Sequence, residues 1–505
     1  MERNDSFWRE LNEGDINFRD DHQFELKSEF ILDPNNPKNT LTQEFYIFIP
    51  SSLQINETSY SKEFFWHDET NLVRYKTPKL TFKELNNPQN TQSPLAKINA
   101  LKTYIYQSES LNKLMDELKL LGNIFRSSLR YRINEIVADI DDYRTPEITK
   151  QRIDILIEDL KMTRRNYLNL QEELCLLSND LLFKVNIKHI DEFMSLSMDF
   201  FLTGLLDIVR HHPEAQLQSC DGDLCELIKA EIEHREKNNL LPKKIKGSEE
   251  RNESVLYRMG LLEKFTLEAL MLNVYRQSWL DKYGGFAGAF AAGIAMLLYM
   301  SLFAWKARYF AITSMPFVLL AVVFYILKDR LKEGIKKFFY AQAFRWFPDY
   351  STEILSPTGR HLGKLNESFL FIKEEQLPPG FLAIRNFDFH EELQSLRRHE
   401  SIIRYKKEVT LYPNAEMENT RRREINTIFR MNVHHFLEKA NNALQTVLLF
   451  DPSKNQIVER QMPKVYHLNM IIRDAYIGPD QKKIVGIKKF RVVVDKNGIK
   501  RVEEL

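Results

Sequence analysis

The chain has 505 residues, 43% hydrophobic and 28% charged, and its 71 basic and 70 acidic side chains leave a formal net charge of +1. At about 150 residues per domain this length allows about three domains, which excludes a single disulfide-stapled module. The balanced charge argues against bulk nucleic-acid binding, so no nucleic-acid partner is expected. Three cysteines, Cys175, Cys220 and Cys225, do not make a secreted disulfide framework. The N-terminal residues contain no apolar run or small-residue cleavage site of the kind a signal peptide needs.

Residues 1–94 read as a β-rich domain. Phe24, Leu26, Phe30 and Leu32 alternate with polar residues, and 44–50 is a compact apolar run stopped by Pro50. The Asn- and Pro-rich stretch 86–94 closes it.

Residues 95–254 read as helical. Ile153, Leu160, Tyr167, Leu174 and Leu181 recur every seven residues, joined at +3 by Leu156, Thr163, Leu170 and Leu177. Leu111, Leu114, Leu118, Leu121 and Phe125 keep the same spacing upstream, and Thr145 and Pro146 mark a helix start between the two series. The pattern predicts an antiparallel coiled-coil hairpin over 108–185, a surface for a protein partner or a second copy.

A juxtamembrane helix is expected over 255–282. Between Tyr283 and Leu327 the only charges are Lys306 and Arg308, where average usage would give about 13. The uncharged stretches 283–304 and 309–327 are each about 30 Å long as helices, enough to span a bilayer. Four residues, 305–308, separate them, so the sequence predicts a transmembrane hairpin with a tight turn. Eight basic residues flank it (Arg276, Lys282, Lys328, Arg330, Lys332, Lys336, Lys337 and Arg345) against two in the turn, which places both termini in the cytoplasm.

The first span carries Gly284, Gly288 and Ala292 at four-residue spacing, with Gly285, Ala289 and Gly293 one position on, a helix-packing face for the second span or for another subunit. Over 328–350 a basic amphipathic helix is expected. Lys328, Arg330, Lys332, Lys336 and Lys337 would meet anionic lipid headgroups, beside an aromatic belt of Phe344, Trp346 and Phe347.

Residues 351–505 read as an α+β domain. Strands are predicted at 368–373, 380–385, 402–411, 468–472, 490–494 and 499–502, with a helix over 420–444. Asp495-Lys-Asn-Gly498 is a hairpin turn.

Chemistry is sparse. Gly359 to Lys364 is one residue short of a phosphate loop, and neither HExxH nor GxSxG occurs. Cys220 and Cys225, with His211 and His212, lack the paired spacing of structural zinc, and Glu231-x-x-His234 has no second copy on another helix. His434 and His435 read as one core and one surface histidine. Arg421, Arg422 and Arg423, with Arg397, Arg398, Arg404, Lys406 and Lys407, form a locally basic region interleaved with acids. No catalytic residue, cofactor or metal is assigned.

The sequence therefore predicts an α+β multidomain membrane protein: a β-rich N-terminal domain, an antiparallel coiled-coil helical region, a two-helix transmembrane hairpin and an α+β C-terminal domain. The setting it fits is a bacterial inner membrane. The function expected is non-enzymatic, scaffolding or partner binding at the cytoplasmic face. The alternative is a homo-oligomeric channel-like assembly using the Gly/Ala-rich first transmembrane helix.

Overall fold

The computed structural model describes residues 6–11, 16–33, 35–141, 146–240, 249–307, 315–356, 359–387, 399–412, 421, 424–477 and 483–505. From the N-terminus, α1 (Ser6–Leu11) precedes β1 (Ile16–Asp20), β2 (Gln23–Ile31) and β3 (Asn39–Pro50), then α2 (Lys62–Asp68) and β4 (Glu69–Tyr75). Helices follow: α3 (Phe82–Asn86), α4 (Pro94–Leu101), α5 (Ser108–Asp141), α6 (Pro146–Leu177), α7 (Leu181–His211), α8 (Ala215–Gln218), α9 (Asp221–Lys237) and α10 (Glu249–Leu267). Next come β5 (Asn273–Ser278), α11 (Trp279–Ala307), α12 (Met315–Trp346), β6 (Tyr350–Leu355), β7 (His361–Ile372), α13 (Phe381–Asn386) and β8 (Glu400–Leu411). The chain ends with β9 (Glu424–Asn432), α14 (His434–Leu437), β10 (Leu444–Asp451), β11 (Gln456–Pro463), β12 (Tyr466–Ile477), β13 (Lys483–Asp495) and β14 (Gly498–Glu504).

The fold is mixed α+β, but the N- and C-terminal strand regions are not separate domains. Eight strands form one antiparallel sheet in the order β14-β13-β12-β3-β8-β7-β6-β5, and four form a second, β1-β2-β9-β4. β3 runs between β12 and β8, and β9 between β2 and β4, so each sheet is built from both ends of the chain. The apolar run 44–50 explains this. Phe45 to Ile49 are all buried on both faces, which requires a central strand with two neighbours.

The region predicted as a helix over 420–444 contains β9. Ile425, Thr427, Phe429 and Met431 alternate at period two, and all are buried. Spacings such as Ile425, Ile428, Phe429 fit either period, and the two flanking strands decide. Residues 380–385, read as a strand, form α13 instead, started by Gly380 at φ 84. The turn at Asp495 to Gly498 joins β13 and β14 as expected, with Gly498 at φ 137.

The helices bury the faces the heptads mark. Ile153, Leu156, Leu160, Thr163, Tyr167, Leu170 and Leu174 are buried on α6, and Leu114, Leu118, Leu121, Phe125, Leu129, Ile133 and Ile136 on α5. They do not form a free-standing two-helix coiled coil. The main neighbour of α5 is α7, with α4, α10 and α6 around it, so the arrangement is a bundle. The heptad series stops because Asp180 Oδ1 accepts the N–H groups of Leu182 and Phe183 and starts a new helix. Thr145 lies outside the described residues.

The predicted juxtamembrane helix over 255–282 is α10 followed by strand β5, which pairs with β6 from Asn273↔Leu355 to Ser278↔Tyr350. α11 and α12 are therefore inserted between two paired edge strands. Residues 305–307, expected in the turn, are helical instead: α11 continues to Ala307, and α12 starts at Met315. Nothing in Trp305-Lys-Ala breaks a helix, whereas Pro316 is best tolerated in a first turn. The expected span 309–327 falls partly outside the described residues, and the amphipathic segment 328–350 is largely the continuation of α12.

Three contacts fix the register of this helical pair. Trp279 stacks on Phe347 at 4.9 Å, Phe290 meets Phe339 at 5.5 Å, and Lys328 Nζ lies 5.9 Å from the Tyr299 ring. The basic stretch of α12 thus lies level with the apolar middle of α11. Among the described residues one helix is long and apolar enough to cross a membrane, the 25 residues Asp281–Trp305, with 11% of its most apolar window buried.

Candidate functional site

The helical pair is rooted in a network of charge. Trp279 N–H donates to the Asp349 carbonyl at 3.1 Å, and Asp349 N–H donates to the Glu367 carbonyl at 2.7 Å. The Asp349 carboxylate accepts Phe369 N–H at 2.8 Å and pairs with Lys62 at 2.8 Å. On β5, Arg276 stacks its guanidinium 4.3 Å from the Tyr350 ring and 5.1 Å from Trp66, and reaches Glu69 and Glu367 at 3.3 Å each.

From Arg276 a polar band crosses the space between the sheets. On the eight-stranded sheet, Glu367, Lys407, Gln43 and Asp474 are successive cross-strand partners on β7, β8, β3 and β12. Opposite them, Ser28 and Thr427 are partners on β2 and β9. Tyr405 Oη donates to Glu367 at 2.8 Å, and Asn71 Nδ2 donates to Glu367 at 2.5 Å and also to Glu69. Lys407 Nζ donates to Thr427 Oγ1 at 3.1 Å, and Gln43 Nε2 donates to Ser28 Oγ and Asp474 Oδ1 at 2.8 Å each.

The band divides two apolar cores. Phe45, Ile403, Tyr405, Phe369 and Phe429 belong to the core between the sheets, whereas Leu41, Val409, Leu365 and Ile425, two residues beyond the band on the same strands, join the core shared with the helices. Glu69, Glu367 and Lys407 are each at most 2% exposed. Burial, then the nearby Glu367, pushes the Glu69 carboxyl up to about 8. Burial likewise pulls the Lys407 ammonium down to about 8 against the attraction of Glu367 and Glu69. Burial also raises the Tyr405 phenol, reinforced by Glu367. Glu69 and Lys407 are thus brought toward a common range near 8, where the site can exchange a proton.

Sequence reasoning missed this band because its members come from strands up to 431 residues apart. One signal was available. On β8, Ile403, Tyr405, Val409 and Leu411 share a parity that includes Lys407, a charge on an otherwise apolar row.

The residues the sequence singled out fall elsewhere. Gly284, Gly288 and Ala292 are half-buried, while Gly285, Ala289 and Gly293 face outward; α11 is most tightly covered at Ala291 and Ala295 instead. Lys328 rests 4.0 Å from the Tyr325 ring and pairs with Asp329 at 3.5 Å. Lys332 and Lys336 share its half-buried side, whereas Arg330 and Lys337 are exposed. Arg421 pairs with Glu117 at 2.5 Å and Arg404 with Glu44, so both are committed to acids of the fold. Arg397, Arg398, Arg422 and Arg423 lie outside the described residues.

Glu231 and His234 are drawn into an internal salt bridge. Arg164 donates to both Glu231 oxygens at 2.9 and 3.0 Å, and His234 Nε2 lies 2.9 Å from Asp191. Asp221, between the two cysteines, pairs with Arg210 at 2.5 Å. Among the described residues no group of three or more His, Cys, Asp or Glu could hold a metal ion. His435 Nδ1 sits 2.8 Å from Asp68, which also accepts Tyr60 Oη at 2.8 Å, and His434 stacks on His22 at 5.2 Å. An Asp–His pair can orient a general base, but no hydroxyl or thiol is bonded to His435 among the described residues.

Comparison with protein-family models, with curated proteins and with solved structures finds no match.

Proposed function

We propose that this protein is a non-enzymatic, membrane-anchored scaffold. The pair α11 and α12 enters a lipid bilayer, and the sheets and helical bundle sit together at its cytoplasmic face, where they bind protein partners. The observation that carries this reading is α11: 25 residues apolar enough to cross a membrane and scarcely covered by the rest of the chain. A core helix of a soluble protein would be mostly buried. Lys282, at the start of α11, supplies positive charge for anionic headgroups at the side where the hairpin is rooted.

The test is flotation of the full-length chain with vesicles of phosphatidylcholine, alone or with phosphatidylglycerol, followed by alkaline carbonate extraction. Its comparison is a variant in which residues 280–347 are replaced by a short Gly/Ser turn that keeps the β5–β6 register. The full chain is expected to float and to resist carbonate, and the variant to stay in the aqueous fraction. A full chain that stays with the variant would sink the reading.

A further inference from the structure

A cavity of about 590 Å3 opens between α3, α5 and α6, and its lining includes no residue of the polar band or of α11 and α12. Part of that lining is apolar: Leu11 from α1, Leu80 and Phe82 where the chain enters α3, and Ile155 from α6. Beside it α5 presents Ser127, Arg130, Tyr131 and Asn134. Their spacing of three and four residues puts them on one face of that helix.

The walls are held in place without a ligand. Ser128 Oγ donates to the Leu80 carbonyl at 2.6 Å, and Phe82 meets Phe125 edge-on at 5.8 Å, which ties the entry to α3 onto α5. Asn86 Nδ2 donates to Thr163 Oγ1 at 2.8 Å and ties the end of α3 to α6. A compact molecule can therefore enter without reordering the walls, and the volume falls within the range of about 300–1,000 Å3 typical of small-ligand sites.

Charge and exposure narrow the choice of ligand. Lys79, Lys83, Arg130 and Arg132 set four positive charges against three acids, Glu84, Glu135 and Asp159. Two of the acids are already committed: Glu84 accepts the Thr81 N–H at 2.8 Å and caps α3, and Glu135 pairs with Arg132 at 2.9 Å. Asp159 faces Lys83 and Arg132, and burial raises its carboxyl against the pull of both. Tyr131 and Ile155 are left exposed, at 58% and 39%. A surplus of bases on two walls suits an anion with several oxygens, and the uncovered ring and aliphatic chain suit an apolar body.

We propose that this cavity binds a small phosphate monoester. Its apolar body lies against Leu80, Phe82, Ile155 and the Tyr131 ring, and its phosphate is held by Lys79 and Lys83 from one wall and Arg130 from the other. The site is independent of the membrane reading, because all its walls belong to the helical bundle and the chain that enters it.

The experiment titrates the full-length chain in dodecyl maltoside, by calorimetry, with 1-naphthyl phosphate, inorganic phosphate and 1-naphthyl glucoside. The naphthyl phosphate is expected to bind one-to-one and at least tenfold more tightly than either of the others, since it alone uses both halves of the cavity. Lys79→Ala with Lys83→Ala should weaken it tenfold or more. Ile155→Trp, which fills the cavity, should do the same, and all three positions are exposed, so the fold is kept. Lys113→Ala, at an exposed site of α5 outside the cavity, should leave binding unchanged. Binding that survives both cavity variants overturns the proposal, as does phosphate or glucoside binding as tightly as the ester, or no saturable heat up to about 1 mM. A chain that binds the ester yet does not float with vesicles keeps this site and overturns the membrane reading alone.

Discussion

Two clusters of buried charge hold this molecule, and they are built differently. In the helical bundle Arg164 lies between Glu231 and Asp191, with His234 on the far oxygen of Asp191. Burial alone would raise the Asp191 carboxyl, but His234 and Arg164 outweigh it and hold it below its ordinary value. Burial opposes the Arg164 charge in the same way, yet Glu231 and Asp191 raise its pKa. Between the sheets the carboxylates of Glu69 and Glu367 repel each other, and Lys407 donates to a hydroxyl of Thr427. Compensation there comes from Arg276 at 3.3 Å, on an edge strand and with a third of its side chain exposed. The same ingredients give a fixed ion pair where the base that reaches both acids is itself buried at 2.9 Å from each, and a titrating site where that base stands 3.3 Å off on a partly exposed edge strand.

Removing the central base of the fixed cluster should have the largest effect. Arg164→Met strands two buried acids and is expected to cost about 3–5 kcal/mol in denaturant unfolding; a loss below about 1 kcal/mol would erase the contrast drawn above. The pH dependence of the band comes next. Folded Glu69 keeps its proton up to about 8, whereas the unfolded group loses it near 4.5. Between these values the folded state binds more protons, so stability falls as pH rises. Lys407 acts in the opposite sense, losing its proton near 8 when folded and near 10.5 when unfolded, so its share of stability rises across that range.

The band should therefore contribute least near pH 8, down by a few kcal/mol from pH 5, given about 1.4 kcal/mol per pKa unit. Glu69→Gln is expected to flatten the acid side of the pH–stability profile and Lys407→Met the alkaline side, and profiles parallel to wild type would count against the pKa assignments. A smaller change is expected from Glu367→Gln, which removes the repulsion on Glu69 and should shift the falling limb to lower pH. Arg276→Met should cost about 1 kcal/mol, because that side chain is partly solvated, and should speed proteolysis at β5. The smallest effect is at the surface: Lys113→Ala, which breaks an exposed pair with Glu109 at 2.8 Å, should leave unfolding unchanged.

Much of the helical half was legible along the chain. The apolar length of α11, the buried stripes of α5 and α6, and the turn at Asp495 to Gly498 depend on neighbours within four residues, and local periodicity reports them. β9 was misread because Ile425, Ile428 and Phe429 satisfy a helical stripe as well as a strand. The position of the helical turn was misread because uncharged length was counted ahead of the preference of Pro316 for a first turn. The polar band was hidden for another reason: Glu69, Arg276, Glu367 and Lys407 each look like an ordinary surface charge in local sequence.

By itself the sequence determined which segments are apolar, which faces are buried and where the chain can turn, since these follow from the chemistry of adjacent side chains. Only the tertiary structure decided that both ends of the chain share two sheets, that the helical hairpin springs from a paired strand edge, and that two acids, a lysine and an arginine meet between them. Strand partners are selected by burial across hundreds of residues, and no short window of sequence contains both sides of such a pair.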